Sequence, residues 1–401
     1  MPSFINRLFG SPGLRRTDNS TADEGNPDRA NGIFAFKLLK RIASDQPRAN
    51  IFISPFSVSI ALQMVANGAA GQTKAEMEQV LEMGIGTTTA NEANGRVANS
   101  LKNCNSNVIL EIANSIWYRQ DTGVRSEFLA LIQEFFDAIV KPIDFTDPHS
   151  ADIINSWASE KTHGRITRIA DGLIDPVYGR MILANAVYFN GKWSDPFDSR
   201  HTDDRPFNLQ NGAKKDIPMM SLSKRFTYQE VPGYQAVRLP YKGENLAMYV
   251  LLPAKNWTPE KLLTVMDGDS WRQTIKPGFI EQNGDLILPK FKLEYGVQLV
   301  QPLQKLGMRT AFAMEKADFS EISSEPLFHI SAVLQKTFVE VKEEGTEAAA
   351  VTVVAAAAGC VRSGPPPKRF QMIVDRPFLL LIEDNQTGTI LFMGLIYDPA
   401  S

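Results

Sequence analysis

The chain has 401 residues, of which 43% are hydrophobic and 22% are charged, and its formal net charge is −3. This composition is that of a globular protein with a large core, and the near balance of charge gives no reason to expect nucleic acid or a membrane surface as a partner. Its two cysteines exclude a disulfide framework, and no apolar run approaches the roughly 18 residues of a membrane-spanning helix.

The N-terminal segment differs in composition from the rest of the chain. Its first apolar residues are interrupted by Asn6 and Arg7, so they do not form the continuous stretch of a secretory signal. A short surface-binding helix is the alternative interpretation of these residues. The polar residues that follow predict a disordered tail over residues 1–30 and one ordered domain over residues 31–401. Without a secretory signal, the protein is expected to be cytoplasmic, with an extracellular location reached by another route as the alternative.

Helical periodicity dominates the first half of the ordered region. Ser54 is expected to cap a helix that begins near Pro55, because proline fits a first helical turn and serine accepts hydrogen bonds from its free amides. The same spacing of apolar residues predicts helices over residues 32–43, 72–83, 126–139, 154–166, 259–266 and 297–306.

Strand patterns dominate the second half. Residues 181–193 are almost entirely apolar, which predicts a strand buried on both faces in the centre of a sheet. The sequence NQTG at residues 385–388 predicts a hairpin turn. The predicted helices lie early in the chain and the predicted strands lie late, with no linker between them. This arrangement predicts a single α+β domain. Other apolar or β-branched runs predict strands over residues 107–117, 226–229, 236–240, 246–252, 285–288, 338–341, 370–373, 378–383 and 390–396.

Residues 343–369 combine the composition of a strand with the boundaries of a loop. A charged turn opens the stretch, residues 348–358 contain only Ala, Val and Thr, and three consecutive prolines follow at residues 365–367. Prolines favour an extended backbone that donates no hydrogen bonds. We interpret the stretch as a loop that is able to become a strand. The alternative is a permanently buried strand or helix, which the Ala content alone would permit.

No constellation typical of an enzyme or of a metal site is visible. The four histidines lack the spacing of a zinc motif, and neither a nucleophile elbow nor a glycine-rich phosphate loop occurs. Asp198, Asp203 and Asp204 lie near His201, but they flank a Pro-Phe turn and are interpreted as a solvated loop. We therefore expect a protein that is not an enzyme and that uses no metal or cofactor.

Six stretches of the chain form one recognisable pattern, from about residue 31 to residue 399. They are NIFISPFSVSIALQMVANGA from Asn50, INSWASEKTHGRI from Ile154, LANAVYFNGKW from Leu183, LPKFKLE from Leu288, FVEVKEEGTEAAA from Phe338 and DRPFLLLIEDNQTGTILFMG from Asp375. In their order and spacing they resemble the serpins, a family of serine protease inhibitors. The resemblance implies the α+β serpin fold, a single domain of about nine helices and three β-sheets. It also implies an exposed reactive-centre loop over about residues 343–369.

The resemblance also assigns roles to individual residues. The hinge of the reactive-centre loop matches Glu343, Gly345, Thr346, Glu347, Ala348, Ala349 and Ala350. The shutter region, where the central sheet opens, and the breach at the top of that sheet match Ser54, Ser57, Asn185, Gln335 and Trp193. Gln335 departs from the family pattern, which usually has His there. Glutamine donates and accepts hydrogen bonds as neutral His does, but it does not titrate.

What the resemblance implies about activity is suicide-substrate inhibition. A target serine protease attacks the loop and forms an acyl-enzyme, and the cleaved loop then inserts as a strand into the central sheet. An inserted strand alternates between core and solvent, and the inward set that begins at Thr346 is small or apolar and carries no charge. The implied partner is the target protease in a covalent acyl complex. The inhibitor itself is expected to be a monomer that is prone to loop–sheet polymerisation.

The reactive bond is expected between Gly359 and Cys360. Serpins usually place it after the seventeenth residue counted from the hinge glutamate, and a small residue there suits the shallow pocket of an elastase-like protease. The competing bond, Arg362–Ser363, would suit a trypsin-like protease. Cys360 is interpreted as an ordinary small residue, with a redox-sensitive thiol as the alternative.

Two other functions stay open at this point. A non-inhibitory serpin with a binding or chaperone-like role would be cleaved without trapping the protease. An inhibitor of a papain-like cysteine protease would form a covalent complex with a different class of enzyme. The small, uncharged hinge favours an inhibitor, because non-inhibitory relatives tend to carry bulky or charged residues or proline there.

Overall fold

The computed structural model describes residues 27–84, 87–102, 107–344 and 369–400. Its first helix, α1 (Pro27–Asp45), begins before residue 31, where order was expected to start. Asp28 accepts a hydrogen bond from the Thr389 hydroxyl at 3.0 Å, and Arg29 pairs with Asp269 at 2.8 Å. These two contacts attach polar residues to the body, so the last residues of the expected tail are helical instead.

The helices largely follow the predicted periodicity. The α-helical segments of the described residues are α1, α2 (Pro55–Ala66), α3 (Gly71–Val80), α4 (Thr87–Lys102), α5 (Ser126–Phe135), α6 (Ser150–Lys161), α7 (Pro259–Thr264), α8 (Gly268–Ser270) and α9 (Val300–Leu306). Helix α4 was not predicted, because its sequence is rich in Thr and Asn and has few apolar residues. Helix α5 ends before residue 139, where a strand begins, and α6 starts earlier than predicted.

The strands form two hydrogen-bonded sheets within the described residues. They are β1 (Ile51–Ile53), β2 (Val108–Arg119), β3 (Ile139–Ile143), β4 (Met181–Gly191), β5 (Thr202–Asn208), β6 (Lys214–Val231), β7 (Tyr234–Pro240), β8 (Leu246–Pro253), β9 (Ile280–Pro289), β10 (Phe291–Gln298), β11 (Ile330–Val341), β12 (Phe370–Ile373), β13 (Phe378–Asp384) and β14 (Ile390–Ile396). The five-stranded sheet has the order β10-β11-β4-β2-β3. The nine-stranded sheet has the order β1-β14-β13-β8-β7-β6-β9-β12, with β5 paired to β6.

Three sheets were expected, but the described strands form two, because the long strand β6 joins strands that would otherwise form separate sheets. Its first half pairs with β5 and its last residues pair with β7, while β9 follows it along much of its length. Strand β6, which has 18 residues, therefore pairs with β5, β9 and β7 along its length, and its backbone hydrogen bonds join these strands in one sheet.

The core lies between the two sheets. Strand β4, predicted to be central and buried, occupies the middle of the five-stranded sheet, and all but one of its residues are buried. Phe52 on β1 stacks on Phe392 on β14 with ring centroids 5.1 Å apart, and Phe392 lies 5.4 Å from Phe189 on β4. These rings join the two sheets at the centre of the molecule. No helix in the described ranges is both long and apolar enough to cross a membrane.

The Phe392 ring should be among the largest single contributors to stability. We expect Phe392→Ala to lower the free energy of unfolding by about 3–5 kcal/mol, because it leaves a cavity between the sheets. Ile280, which is 63% exposed, provides the control, and Ile280→Ala should change stability by less than about 0.5 kcal/mol. Chemical denaturation of both variants measures this, and equal losses would contradict it.

Candidate functional site

The pairing between β4 and β11 is the unusual feature of the five-stranded sheet. These two strands are parallel, and Gln335 lies opposite Asn185 while Phe338 lies opposite Tyr188. On their outer sides β4 pairs with β2 and β11 pairs with β10, both antiparallel. We call the β4–β11 pairing the seam. Helix α6 packs on one face of the seam, the front, and the nine-stranded sheet packs on the other, the back.

The predicted shutter residues meet behind the seam. The Gln335 side chain accepts a hydrogen bond from the Ser54 backbone N–H at 3.1 Å and donates to the Asn185 side-chain oxygen at 2.7 Å. Asn185 in turn donates to the Ser57 hydroxyl. All four side chains are at most 2% exposed, so each of these polar groups depends on its protein partners. We call these residues the shutter cluster.

Two details of the shutter cluster differ from what the sequence predicted. Asn114 on β2 was missed: its side-chain oxygen accepts a second hydrogen bond from Asn185 at 2.7 Å, and the two residues are register partners. Ser54 does not cap α2 with its side chain, because its hydroxyl donates to the Leu391 carbonyl at 2.8 Å. The cluster therefore links β2, β4 and β11 to the start of α2 and to β14.

Removing the amide of Gln335 should destabilise the seam. In Gln335→Met the Ser54 N–H and the Asn185 oxygen lose their buried partner, and we expect a loss of about 2–4 kcal/mol in the free energy of unfolding. Chemical denaturation measures the loss.

The matched variant is Gln335→His, which keeps one donor and one acceptor. It should cost less near pH 8 and become unstable as the pH falls below about 6.5, because a buried neutral imidazole must then take up a proton. The native Gln335 should show no such step. A pH-independent Gln335→His variant would contradict this account.

Glu343, the first predicted hinge residue, is fixed at the upper end of the seam. Its carboxylate lies 2.9 Å from the Lys290 ammonium and accepts a hydrogen bond from the Thr202 hydroxyl at 3.0 Å. Burial opposes ionisation of this side chain, but hydrogen bonds from Lys290, the backbone and Thr202 outweigh it and hold the pKa of Glu343 below its usual value. The residue is therefore ionised and anchored at neutral pH.

Trp193, the predicted breach residue, lies beside Glu343. Its indole N–H donates to the Lys342 carbonyl at 2.9 Å, and its backbone N–H donates to the Glu344 carbonyl at 3.3 Å. The indole is 3% exposed and stacks on Tyr241 with ring centroids 4.6 Å apart. The chain that leaves β11 is thus bonded to the segment that follows β4, directly above the seam.

Glu343 and Lys290 should stabilise the fold as a pair. Glu343→Gln and Lys290→Met should each cost about 1–2 kcal/mol at pH 7, and the double variant should cost less than the sum of the two. Because the folded-state pKa of Glu343 is lowered, its contribution is present above the ordinary glutamate pKa and is lost as the pH falls through the lowered value. Additive losses in denaturation experiments, or an unchanged acid limb in Glu343→Gln, would contradict the pairing.

The remaining predicted site residues lie outside the described residues. They are the hinge positions Gly345, Thr346, Glu347, Ala348, Ala349 and Ala350 and the candidate reactive-bond residues Gly359, Cys360, Arg362 and Ser363. The structure describes the two ends of this stretch, at Glu344 and Arg369. Arg369 is held by Asp285 at 2.8 Å, close to the start of β12.

Two of the three acidic residues near His201, Asp198 and Asp203, pair with arginines. Asp198 bonds with the Arg200 side chain and its backbone N–H, which lowers the pKa of Asp198 to about 2. Asp203 and Asp204 belong to β5, so the expectation of a loop was wrong for these two residues, although both are exposed to solvent as expected. In the part of the chain that the structure describes, no cluster of three or more metal-ligating side chains occurs.

Comparison with known proteins identifies the family. A family model described as "Serpin (serine protease inhibitor)" matches residues 29–399. The chain is 36% identical to Serpin B6 of Macaca fascicularis over 380 residues, which are 92% of this chain and 98% of that relative. Its structure resembles tengpin, a thermophilic serpin solved in the native state, with a TM-score of 0.84, 30% identity and 98% of each chain covered.

A second solved structure gives the same result. Native protease nexin-1 with heparin matches at a TM-score of 0.81 and 30% identity, over 93% of this chain and 99% of that one. The chain therefore belongs to the serpin family of serine protease inhibitors, and the resemblance in the sequence is confirmed. The predicted α+β serpin fold is confirmed as well.

Proposed function

We propose that this serpin is a suicide-substrate inhibitor of a serine protease and that it traps the acyl-enzyme by inserting its cleaved loop into the seam. The observation that carries the proposal is the course of the chain after β11. The Glu343 and Glu344 carbonyls accept hydrogen bonds from the Phe197 and Trp193 amides, which belong to the segment after β4. The loop therefore starts from a point above the gap between the two seam strands.

The direction of the strands supports insertion at this place. A segment that folds back from the end of β11 would run antiparallel to both β11 and β4. Insertion would replace one parallel pairing by two antiparallel ones, and antiparallel ladders are somewhat more stable per residue. A stretch of about 13 residues at about 3.3 Å each would carry a bound protease by roughly 40 Å.

The shutter cluster supplies a barrier to premature insertion. The hydrogen bond between Gln335 and Asn185 crosses the seam, so a strand cannot enter without breaking it. Both groups are buried, and their separation leaves donors and acceptors that need new partners. The inward residues of the inserting strand, from Thr346 and Ala348 onward, are small or apolar and would add no charge to the core.

We assign the reactive bond to Gly359–Cys360 and the target to the elastase-like serine proteases. The count from Glu343 and the small side chain support this bond over Arg362–Ser363. Such an inhibitor takes part in the reaction as a substrate and has no turnover of its own. Two cysteines without a required disulfide support a cytoplasmic location.

The test is incubation of the purified chain with elastase-like, trypsin-like and papain-like proteases. A complex that survives denaturing electrophoresis with an elastase-like protease is expected, together with a released C-terminal peptide that begins at Cys360. A peptide that begins at Ser363 would move the bond to Arg362. A complex with a papain-like protease alone would change the target class. Cleavage without any complex would overturn the inhibitor proposal in favour of a non-inhibitory serpin.

A charge at an inward hinge position should convert the inhibitor into a substrate. Thr346→Arg or Ala350→Glu would bury a charge during insertion at a cost of several kcal/mol, so that deacylation precedes trapping. The control Glu347→Arg changes an outward position and should leave trapping intact. The stoichiometry of inhibition measures the difference, and equal values for all three variants would contradict inward insertion.

A further inference from the structure

The seam is irregular where β4 and β11 both begin. Ile330 lies opposite Met181 and Ala332 lies opposite Ile182, so β11 has one extra residue, Ser331, over this step. Such a bulge disrupts the ladder locally. Bulges between parallel strands are rare, and bulges are over-represented beside functional sites.

The Ser331 hydroxyl compensates for part of this disruption. It accepts hydrogen bonds from the backbone amides of Arg180 and Met181 at 2.7 and 3.4 Å. We call residues 180–182 on the β4 side and residues 327–332 on the β11 side the lower end of the seam. Its closure depends on side-chain contacts and on the turn before β11, because the regular ladder is interrupted there.

The turn before β11 is held by His329. Leu327 in this turn has a positive φ of 62°, which is unfavourable for a bulky residue. The Nδ1 atom of His329 lies 2.8 Å from the Leu327 carbonyl and donates this hydrogen bond, because a carbonyl only accepts. Phe328 between them is buried and meets Phe319 edge-to-face with ring centroids 6.5 Å apart. The His329 bond therefore stabilises a strained backbone conformation.

His329 is the one buried histidine among the four of this chain, all of which the structure describes. Burial is the main cause that lowers the pKa of its imidazole, and the positive charge of Arg180 lowers that pKa further. The bond to Leu327 and the Asp175 carboxylate act in the opposite direction without outweighing burial. His329 is therefore neutral at pH 7.

The charged groups that face His329 are engaged elsewhere. The Asp175 carboxylate accepts hydrogen bonds from two backbone amides of its own turn at 2.9 Å each, and it is exposed to water. The Arg180 guanidinium donates to two carbonyls of the same turn. Next to them on β2, the Arg119 backbone amide donates to the Arg180 carbonyl at 3.0 Å, and its side chain pairs with Asp121 at 3.3 Å. A proton on His329 would thus add a second positive charge beside Arg180 with little access to water.

Loop insertion has to reach this place. A tight turn at residues 344–345 would set Thr346 opposite Glu343, and antiparallel pairing along β11 would then bring Gly359 to the level of Ile330 and His329. The last inserted residues, and with them the bond to the protease, would arrive at the lower end of the seam. The turn that His329 holds must give way before they fit.

We propose that His329 is a positioning residue of the trapping reaction: as a neutral imidazole it keeps the lower end of the seam closed, and as an imidazolium it releases that end to the arriving strand. This inference rests on the proposed function, since it concerns the last step of the same insertion. An imidazolium in the closed turn is shielded from water and faces Arg180, whereas an opened turn allows its hydration.

The sign of the pH dependence follows from this arrangement. The closed state holds the pKa of His329 below the ordinary histidine value of about 6.5, so the opened state takes up the proton first. The closed lower end is therefore fully stable above about pH 6.5 and loses stability as the pH falls below that value. The titratable group lies at the lower end of the seam, since Gln335 leaves the shutter cluster without one.

Native-state hydrogen exchange near pH 7.5 and near pH 5.5 tests the proposal. Protection factors, which correct for the intrinsic pH dependence of exchange, should fall several-fold at the lower pH in residues 181–183 and 330–333. They should stay unchanged in the upper part of the seam, residues 187–189 and 337–339. His329→Asn keeps a donor close to the position of Nδ1 and does not titrate, so its protection factors should be equal at both pH values.

Two further variants serve as matched controls. His201→Asn removes an exposed histidine outside the seam and should keep the full loss of protection at the lower pH. His329→Phe keeps an aromatic ring but removes the bond to Leu327, so protection of the lower end should be low at both pH values. A pH response that survives in His329→Asn, or equal protection of the unmodified chain at both pH values, would overturn the role of His329.

The same variants separate this effect from the step introduced by Gln335→His. Any loss of stability of the unmodified chain below about pH 6.5 should disappear in His329→Asn, because no other buried histidine is present. The step of Gln335→His should persist when His329→Asn is added to it.

The closing experiment follows insertion itself by pulsed hydrogen exchange after addition of the protease. At about pH 6 the unmodified chain should complete insertion several-fold faster than His329→Asn, and near pH 7.5 the two should be equal. Comparison at one pH cancels the pH dependence of the protease. If both chains form the complex and insert at equal rates at both pH values, the role of His329 fails and the inhibitor proposal stands. If no protease forms a complex with any variant, the inhibitor proposal fails, and native-state exchange alone decides the role of His329.

Discussion

The parallel pairing of β4 and β11 is the constraint on which the rest of this structure depends. Parallel strands need a long crossover, and here the crossover from β4 to β11 contains strands β5 to β9 of the nine-stranded sheet, strand β10 and the helices α7 to α9. Both strands are therefore fixed from behind by a large core. The gap between them is closed by backbone hydrogen bonds, by the Gln335–Asn185 contact and by the Tyr188–Phe338 contact. A strand that enters there must separate every one of these contacts.

The polar groups around the seam divide into buried and exposed sets with different energetic roles. Behind the seam, Asn185 and Gln335 have no access to water, so their hydrogen bonds are either made within the protein or lost at high cost. Above the seam, Glu343 is held by Lys290 and Thr202. In front of it, Arg165 lies over the Phe338 ring and Lys336 pairs with Glu294, and water can replace these contacts because both side chains have access to solvent. The buried contacts behind the seam therefore cost more to break than the solvent-accessible contacts in front of it.

Much of the fold could be predicted from the sequence, because its signals are local. The apolar run at residues 181–193 predicted the central strand, and the sequence NQTG predicted the hairpin between β13 and β14. Local signals failed for α4, whose sequence has few apolar residues to show a helical pattern. They also failed for a side chain whose hydrogen-bond partner is distant in the sequence. Ser54 was expected to cap α2, but its hydroxyl donates a hydrogen bond to a carbonyl of β14, more than 300 residues away in sequence. Of the site, the family pattern located Gln335, Asn185, Glu343 and Trp193. It did not identify Asn114 and Lys290, because their roles depend on strand register and on contacts across the fold.

The positions of the tryptophans have an optical consequence. Trp193 is stacked on Tyr241 and bonded to the carbonyl of Lys342, so its emission reports on the junction where the loop leaves β11. Trp117 on β2 and Trp157 on α6 meet edge-to-face, so their emission would report on separation of the helix from the sheet. Single-tryptophan variants of this chain would thus show in real time whether movement at the loop junction precedes or follows movement of α6, with no dye attached to the protein.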